Sequence, residues 1–254
     1  MGGATSTDHG HPTARTENLA RADAAALFAK VLKGACTPEE ADAFRGHILA
    51  EMARMSRREM VFVDIGGAGR VRSDGDYAME RGDMLYLGMG AGPVTFEGDG
   101  RYYVVSAPAH ARHPTRLVKI EEAKKVELGS RETSNERVIN QFVHPDVMPS
   151  CQLVVGMTRL APGSVWNTMP AHVHDRRIEA YLYFDLDASA RVFHIMGEPD
   201  ETRSMVIANE EGAISPPWSI HCGAGTSAYA FIWAMAGDNV DYRDVEMVEM
   251  DALR

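Results

Sequence analysis

The chain is short of cysteine, of positive charge and of long apolar runs, and each shortage removes a class of protein. Its three cysteines, Cys36, Cys151 and Cys222, cannot all pair and show no C-x-x-C spacing, which suits a reducing cytoplasm better than a disulfide scaffold. Lys and Arg number 26 against 36 Asp and Glu, a formal charge of −10. No basic stripe is therefore on offer to nucleic-acid phosphates or to an anionic membrane surface. No apolar run approaches the roughly 20 residues that span a bilayer, and the first residues lack the hydrophobic core of a secretion signal. The expectation is a cytoplasmic protein with no nucleic-acid and no membrane partner. With 45% hydrophobic and 24% charged residues, 254 residues suffice to bury a sizeable core in one or two domains. The 15 methionines are scattered, as core filling requires and copper binding does not.

What is present changes character along the chain. Residues Met1–Pro12 are rich in Gly, Ser, Thr and His without apolar periodicity, so the start, to about Arg15, is expected to be disordered. From Asn18 to Lys33, Leu19, Ala22, Ala26, Leu27, Val31 and Leu32 fall near helical spacing, and Gly34 is a plausible stop. Thr37-Pro38-Glu39-Glu40 forms a capping box with proline at the first helical position. The second helix it opens runs through Phe44, Ile48, Leu49, Met52 and Met55. Residues 1–56 thus read as an atypical N-terminal segment ending in a helical hairpin.

Beyond it the patterns are β. Met60–Ile65 is a short apolar strand ending at Gly66-Gly67, Arg101–Ser106 is another, and glycines punctuate turns between them. Further strands are expected at Gln152–Leu160, Glu179–Phe184, Arg191–Met196, Ser204–Ala208 and Tyr229–Met235. The fold class is mainly β, a barrel or sandwich. The charged stretch Lys119–Glu127 reads as an exposed connection, which separates a first half at 57–128 from a second at 129–254.

The second half carries the chemistry. WNTMPAHVHDRRIEAYLY (Trp166–Tyr183) holds His172, His174 and Glu179, and PPWSIHCG (Pro216–Gly223) holds His221. Three imidazoles and a carboxylate complete a first shell for a divalent transition metal. His172 and His174, two apart, face one side of a strand. Glu179 is out of step with them, so a loop or bulge around Asp175–Arg177 must reset the register. An H-x-H pair alone is weak; with Glu179 and a second segment ending in His221 the signal is strong. Cys222, adjacent to His221, faces the other way and reads as a small core residue. The first half has no H-x-H pair, so His110 and His113 read as structural or rim residues.

The H-x-H-x4-E and P-x-x-x-x-H segments resemble the cupin metal pattern, with Trp218 standing where many cupins have glycine. The resemblance narrows with RREMVFVDIGGAG, TSNERVIN, CQLVVGMTRLAPGSVWNTMPAHVHDRRIEAYLYFDL, RVFHIMGEPDETR and ISPPWSIHCGAGTSAYAFIWAMAGDN, which are similar to the 4-deoxy-L-threo-5-hexosulose-uronate ketol-isomerases. That resemblance, over about Arg57 to Arg254, implies a bicupin that binds zinc through His172, His174, Glu179 and His221 and assembles as a homohexamer. It implies an aldose–ketose isomerase acting on a keto-deoxyuronate in pectin degradation. Two departures stand out. Ser204 follows Glu201-Thr202-Arg203 where the family commonly has histidine, and residues 1–56 replace strands that normally begin the first cupin half, which leaves that half truncated. The N-terminal segment resembles instead a fragment of uronate isomerase, including DHGH at Asp8–His11, but a fragment of such a barrel cannot assemble its site.

Such an isomerisation needs a base, an electrophile for the enediolate, and a route returning the proton. The metal suits the second role. His194, Tyr181 and Glu198 are candidates for the base, since each is placed to reach a barrel lumen. Arg176 and Arg177 lie between the ligands, where an arginine fork suits a substrate carboxylate. Trp233 is a candidate wall of the cavity. Two rivals use the same ligand set: an iron-dependent cupin dioxygenase and a non-catalytic sugar-acid-binding cupin.

Overall fold

Two helices precede a body built of strands. The computed structural model describes residues 19–33, 35–52, 57–238, 240–241 and 243–254. Helix α1 spans Arg21–Leu32 and α2 spans Pro38–Met52. The capping box forms as its sequence demands: the Glu40 N–H donates to Thr37 Oγ1 and the Thr37 N–H to Glu40 Oε2, both at 3.2 Å. Phe28 stacks on Phe44 with centroids 5.9 Å apart, and the Leu19 N–H donates to His47 Nδ1 at 3.3 Å, so the two helices form the expected hairpin. The expected disordered start, the Asp8–His11 motif, the Gly34 stop and Met55 lie outside the described residues. Among the described residues no helix is long and apolar enough to cross a membrane.

The strands of the first half are β1 (Arg58–Asp64), β2 (Gly69–Arg72), β3 (Asp76–Met79), β4 (Met84–Leu87), β5 (Thr95–Gly98), β6 (Tyr102–Pro108) and β7 (Arg116–Val118). Then come β8 (Lys124–Leu128), β9 (Arg137–Val143), β10 (Val154–Leu160), β11 (Trp166–His174), β12 (Arg177–Phe184) and β13 (Val192–Glu198). The chain continues through β14 (Glu201–Ile207), β15 (Glu211–Ser215), β16 (Ile220–Gly225), β17 (Ala230–Gly237) and β18 (Val245–Met247). They form four sheets, ordered β3-β2-β5, β6-β1-β4-β7, β15-β12-β17-β10-β9-β8 and β14-β13-β16-β11-β18.

Side-chain alternation stacks these sheets into layers. Met60, Phe62, Leu85 and Leu87 pack with Val71 and Met79 of the three-stranded sheet. The opposite faces of β1 and β4, Val61, Val63, Met84 and Tyr86, pack against Val155, Met157, Leu182, Phe184 and Ile232 of the six-stranded sheet. That sheet's other face, Tyr181, Tyr183, Phe231, Trp233 and Met235, meets Val192 and Ile207 of the five-stranded sheet. Strand β1 is therefore covered on both faces, which is why MVFV reads as an unbroken apolar run instead of an alternation. The stretch Lys119–Glu127 is not simply an exposed connection. Ala123 is buried, and β8 pairs with β9 at the edge of the six-stranded sheet, where lysines and glutamates guard an open edge.

One buried carboxylate ties the halves together. Glu59 on β1 is fully buried and accepts hydrogen bonds at 2.7 Å from the Tyr86 hydroxyl and from the backbone N–H groups of Cys151, Gln152 and Leu153. Each donor left without an acceptor in a dry site costs about 1–3 kcal/mol, although the part-buried amides of Cys151 and Gln152 can turn to water. Glu59→Ala is expected to lower unfolding stability by about 3–5 kcal/mol. Urea denaturation checks this, and an unchanged midpoint would show that the carboxylate does not join the halves.

Candidate metal centre

Three strands from two sheets, β11 and β16 of one and β12 of the other, meet at one corner to build the site. His172 and His174 share a face of β11, and His172 stands directly opposite His221 on the neighbouring β16. After the turn at Asp175 and Arg176 the chain leaves the five-stranded sheet and enters the six-stranded one as β12. Glu179 therefore arrives from the opposing sheet. The register reset that its spacing demands is achieved by changing sheets.

The four side chains converge. His172 Nε2 lies 3.0 Å from both His174 Nε2 and His221 Nε2. Glu179 Oε2 lies 2.9 Å from His221 Nε2 and 3.7 Å from His174 Nε2. One ligand atom from each lies within 4.8 Å of the others. A tetrahedral zinc with bonds of 2.0–2.1 Å has ligand atoms about 3.3 Å apart, which matches this spread. Glu179 Oε2 is buried in no hydrogen-bonding geometry, and three ring nitrogens aimed at one another cannot all be satisfied by the protons they carry. A divalent cation at their centre satisfies all four, so the donor set fits such an ion.

Electrostatics favour the ligand forms. Burial, then the neighbouring His221, pulls His172 down to about 3, so its imidazole is neutral at ordinary pH. Burial also lowers His174. For Glu179, burial would push the carboxyl up, but the facing His221 outweighs it and holds the group below its usual range.

The back nitrogens of two rings have partners that no local motif announces. Ser215, opposite Glu179 in the β12–β15 ladder, places Oγ 3.3 Å from His221 Nδ1. Asp244 Oδ1 lies 3.4 Å from His174 Nδ1 and is itself gripped by Arg177, whose Nε and Nη2 donate at 2.8 and 2.5 Å. Such partners fix the orientation of ligand rings. Both were missed from sequence: Asp244 lies far down the chain, and Ser215 is an ordinary serine before Pro216.

The remaining candidates separate clearly. Arg177 is buried, and Nε and Nη2 of its fork are engaged by the Asp244 carboxylate. Arg176 is 73% exposed and faces Asp238 at 3.6 Å. Glu198 is exposed at the tip of the β13–β14 hairpin, outside the interior. Tyr181 and His194 are buried inside, with ring centroids 5.0 Å apart, and Tyr181 lies 5.7 Å from His221. Trp233, opposite Tyr181 on β17, is buried and donates from Nε1 to Thr158 Oγ1 at 3.1 Å. Cys222 faces the other side with Ala171 and Ile220, as alternation requires, and burial pushes its thiol up to about 11. His110 is exposed and His113 is half-buried.

The sequence model of the KduI/IolB family matches residues 46–252. Over 201 residues the chain is 70% identical to a 4-deoxy-L-threo-5-hexosulose-uronate ketol-isomerase of Cereibacter sphaeroides, covering 79% of this chain and 73% of that protein. Among solved structures, an IolB-like protein from Salmonella typhimurium LT2 superposes with a TM-score of 0.64 at 20% identity, over 76% of this chain and 81% of that one. A Lactobacillus farciminis oxalate decarboxylase in complex with formate gives 0.55 at 10% identity, over 76% and 73%. These neighbours mark the fold as cupin-like.

Replacing His172, His174 or His221 with alanine is expected to abolish stoichiometric metal binding, since each loss leaves an incomplete shell. Glu179→Gln should weaken binding less severely, because it keeps the shape and removes the charge. Elemental analysis of the purified variants checks both, and metal retained at full stoichiometry in all three histidine variants would refute the site.

Proposed function

The chain belongs to the KduI/IolB family, and from that premise we propose that it is a 4-deoxy-L-threo-5-hexosulose-uronate ketol-isomerase of pectin and uronate degradation. The reaction interconverts 5-dehydro-4-deoxy-D-glucuronate and 3-deoxy-D-glycero-2,5-hexodiulosonate by moving a carbonyl between C1 and C2. The observation that carries the reading is the 70% identity to a relative of that name.

In this reading a divalent ion, zinc by resemblance, is held by His172, His174, Glu179 and His221. When bound, it supplies a Lewis acid for the substrate's carbonyl and hydroxyl oxygens. Asp244 and Ser215 keep the rings of His174 and His221 turned inward. Burial, and then the neighbouring Glu179 carboxylate, raise the Tyr181 hydroxyl well above its ordinary value. Tyr181, Tyr183, Phe231 and Trp233 form a dry wall beside the ligands, which strengthens every polar contact made there.

The four sheets read as two cupin barrels, with a ligand-free first half and the metal in the second. All four ligands lie beyond Pro170, which supports treating residues 1–56 as an appended segment, so proteolysis before Arg57 should leave a metal-bearing core. A homohexamer is the assembly this reading carries, to be checked by sedimentation. The three free cysteines support a cytoplasmic setting.

Incubation of the metal-loaded protein with the unsaturated-uronate breakdown product should yield the 2,5-diketo compound without oxygen uptake. His221→Ala should fall to background. Oxygen consumption dependent on Fe(II) would favour a dioxygenase, and ligand-induced stabilisation without turnover a binding protein.

A further inference from the structure

His194 on β13 is fully buried, yet only one of its ring nitrogens is bonded. Nδ1 lies 2.7 Å from the Tyr183 hydroxyl, while Nε2 is enclosed without a partner. Resting on the isomerase reading above, we infer that His194 is a catalytic hydrogen-bond donor: its Nε2–H meets the substrate oxygen on which charge develops, and it is not the general base.

A count of protons sets the tautomer. Besides His194, the Tyr183 hydroxyl has the Asn167 side chain as a hydrogen-bond partner; Asn167 acts on it as a donor, so among the described residues His194 Nδ1 is the one acceptor for the Tyr183 O–H. If Nδ1 carried the proton and donated to the hydroxyl, the Tyr183 O–H would have no acceptor and Nε2 no donor, leaving two buried orphans. If the Tyr183 O–H donates to Nδ1, the tyrosine is satisfied and the Nε2–H alone is left over. Each buried orphan costs about 1–3 kcal/mol, so the second arrangement is preferred. Burial pulls His194 down to about 4, which keeps the ring neutral with a single proton.

The tyrosine cannot easily turn elsewhere. Opposite His194 on β16 stands Gly223, and a Cβ built there would come within 2.6 Å of Asn167 Oδ1 and 3.1 Å of the Tyr183 hydroxyl. The missing side chain is what seats these two groups. Asn167 is held in turn by the Tyr229 hydroxyl, which donates to Oδ1 at 2.5 Å, and by its own Nδ2, which donates to Thr168 Oγ1 at 3.0 Å.

Position points the free N–H at the site. Glu179, Tyr181 and Tyr183 follow one another along the inner face of β12, with Glu179 in the ligand set. Nδ1 faces Tyr183, the member farthest along from the ligands. The two ring nitrogens look in different directions, so Nε2 points away from the Tyr183 hydroxyl; the His194 ring lies 5.0 Å from that of Tyr181, which lies 5.7 Å from that of His221. A neutral imidazole N–H in a dry site is a suitable partner for an enediolate oxygen, because its acidity is close to that of an enediol. His194 keeps its proton throughout, and no bond to it breaks.

The test reads tautomer and turnover separately. In the zinc-loaded protein carrying ring-15N histidine, two-bond proton–nitrogen spectra should show His194, identified by its loss in His194→Gln, with Nδ1 bare and Nε2 protonated. Tyr183→Phe should mix the two tautomers. His194→Ala should lower kcat by about 100-fold, with KM and bound metal little changed, and His194→Gln, which retains an N–H donor, should recover part of the loss. A protonated Nδ1 or an imidazolium in the wild type would overturn the inference, whether or not any variant folds. So would kcat within about threefold of wild type in His194→Ala. A folded, metal-bearing wild type that does not isomerise would sink the isomerase reading and the catalytic role together; an active wild type with an unimpaired variant sinks this inference alone.

Discussion

The structure turns on a carboxylate held from one sheet against three imidazoles carried by two strands of the sheet opposite. Burying an ionised carboxylate costs several kcal/mol unless a positive charge accompanies it. Glu179 is 5% exposed, and its free oxygen sits among ring nitrogens that burial keeps neutral in His172 and His174. A divalent ion held there would offset that cost from both sheets at once, so its binding and the meeting of the two sheets would share one free energy.

The rest of the corner follows from holding that arrangement. In the β11–β18 ladder His174 pairs with Val245, which sets Asp244 beside the imidazole. The short edge strand β18 thus has a task beyond covering β11. Arg177 begins β12 in the six-stranded sheet and reaches Asp244, so its fork crosses the change of sheet just after His174. A lysine offers one point charge here, whereas the guanidinium holds both carboxylate oxygens in one plane.

What was legible from sequence was whatever is encoded locally. The convergence of His172, His174, Glu179 and His221 was legible because strand alternation and a two-segment motif place them. The capping box was legible because its two hydrogen bonds lie within four residues. Strand positions in the second half were close to those observed: Tyr229–Met235 was expected where β17 runs Ala230–Gly237. What depends on partners distant in sequence was not legible. Asp244, Ser215 and the clamp at Glu59 have no local signature. Arg177 was placed in the right corner, but its pairing with Asp244 was not legible, because an arginine beside such a cluster reads alike whether its fork meets a substrate or a protein carboxylate 67 residues away. Strand β8 was missed because an edge strand facing solvent carries the charge pattern of a loop.

Two fully buried polar side chains, Glu59 and His194, show how burial for structure differs from burial for chemistry. Glu59 has each oxygen taken by two donors, so nothing is left over for a ligand. Its surroundings complete it, as expected of a group retained for the fold. His194 has equally careful support on one side, where Gly223, Asn167 and Tyr229 seat the tyrosine that binds Nδ1, and none on the other. A core selected only for stability would replace such a half-satisfied ring with an apolar side chain of similar volume. Its presence beside the ligand cluster is therefore explained by what enters the site: an oxygen that is absent between turnovers and takes the free N–H during each one.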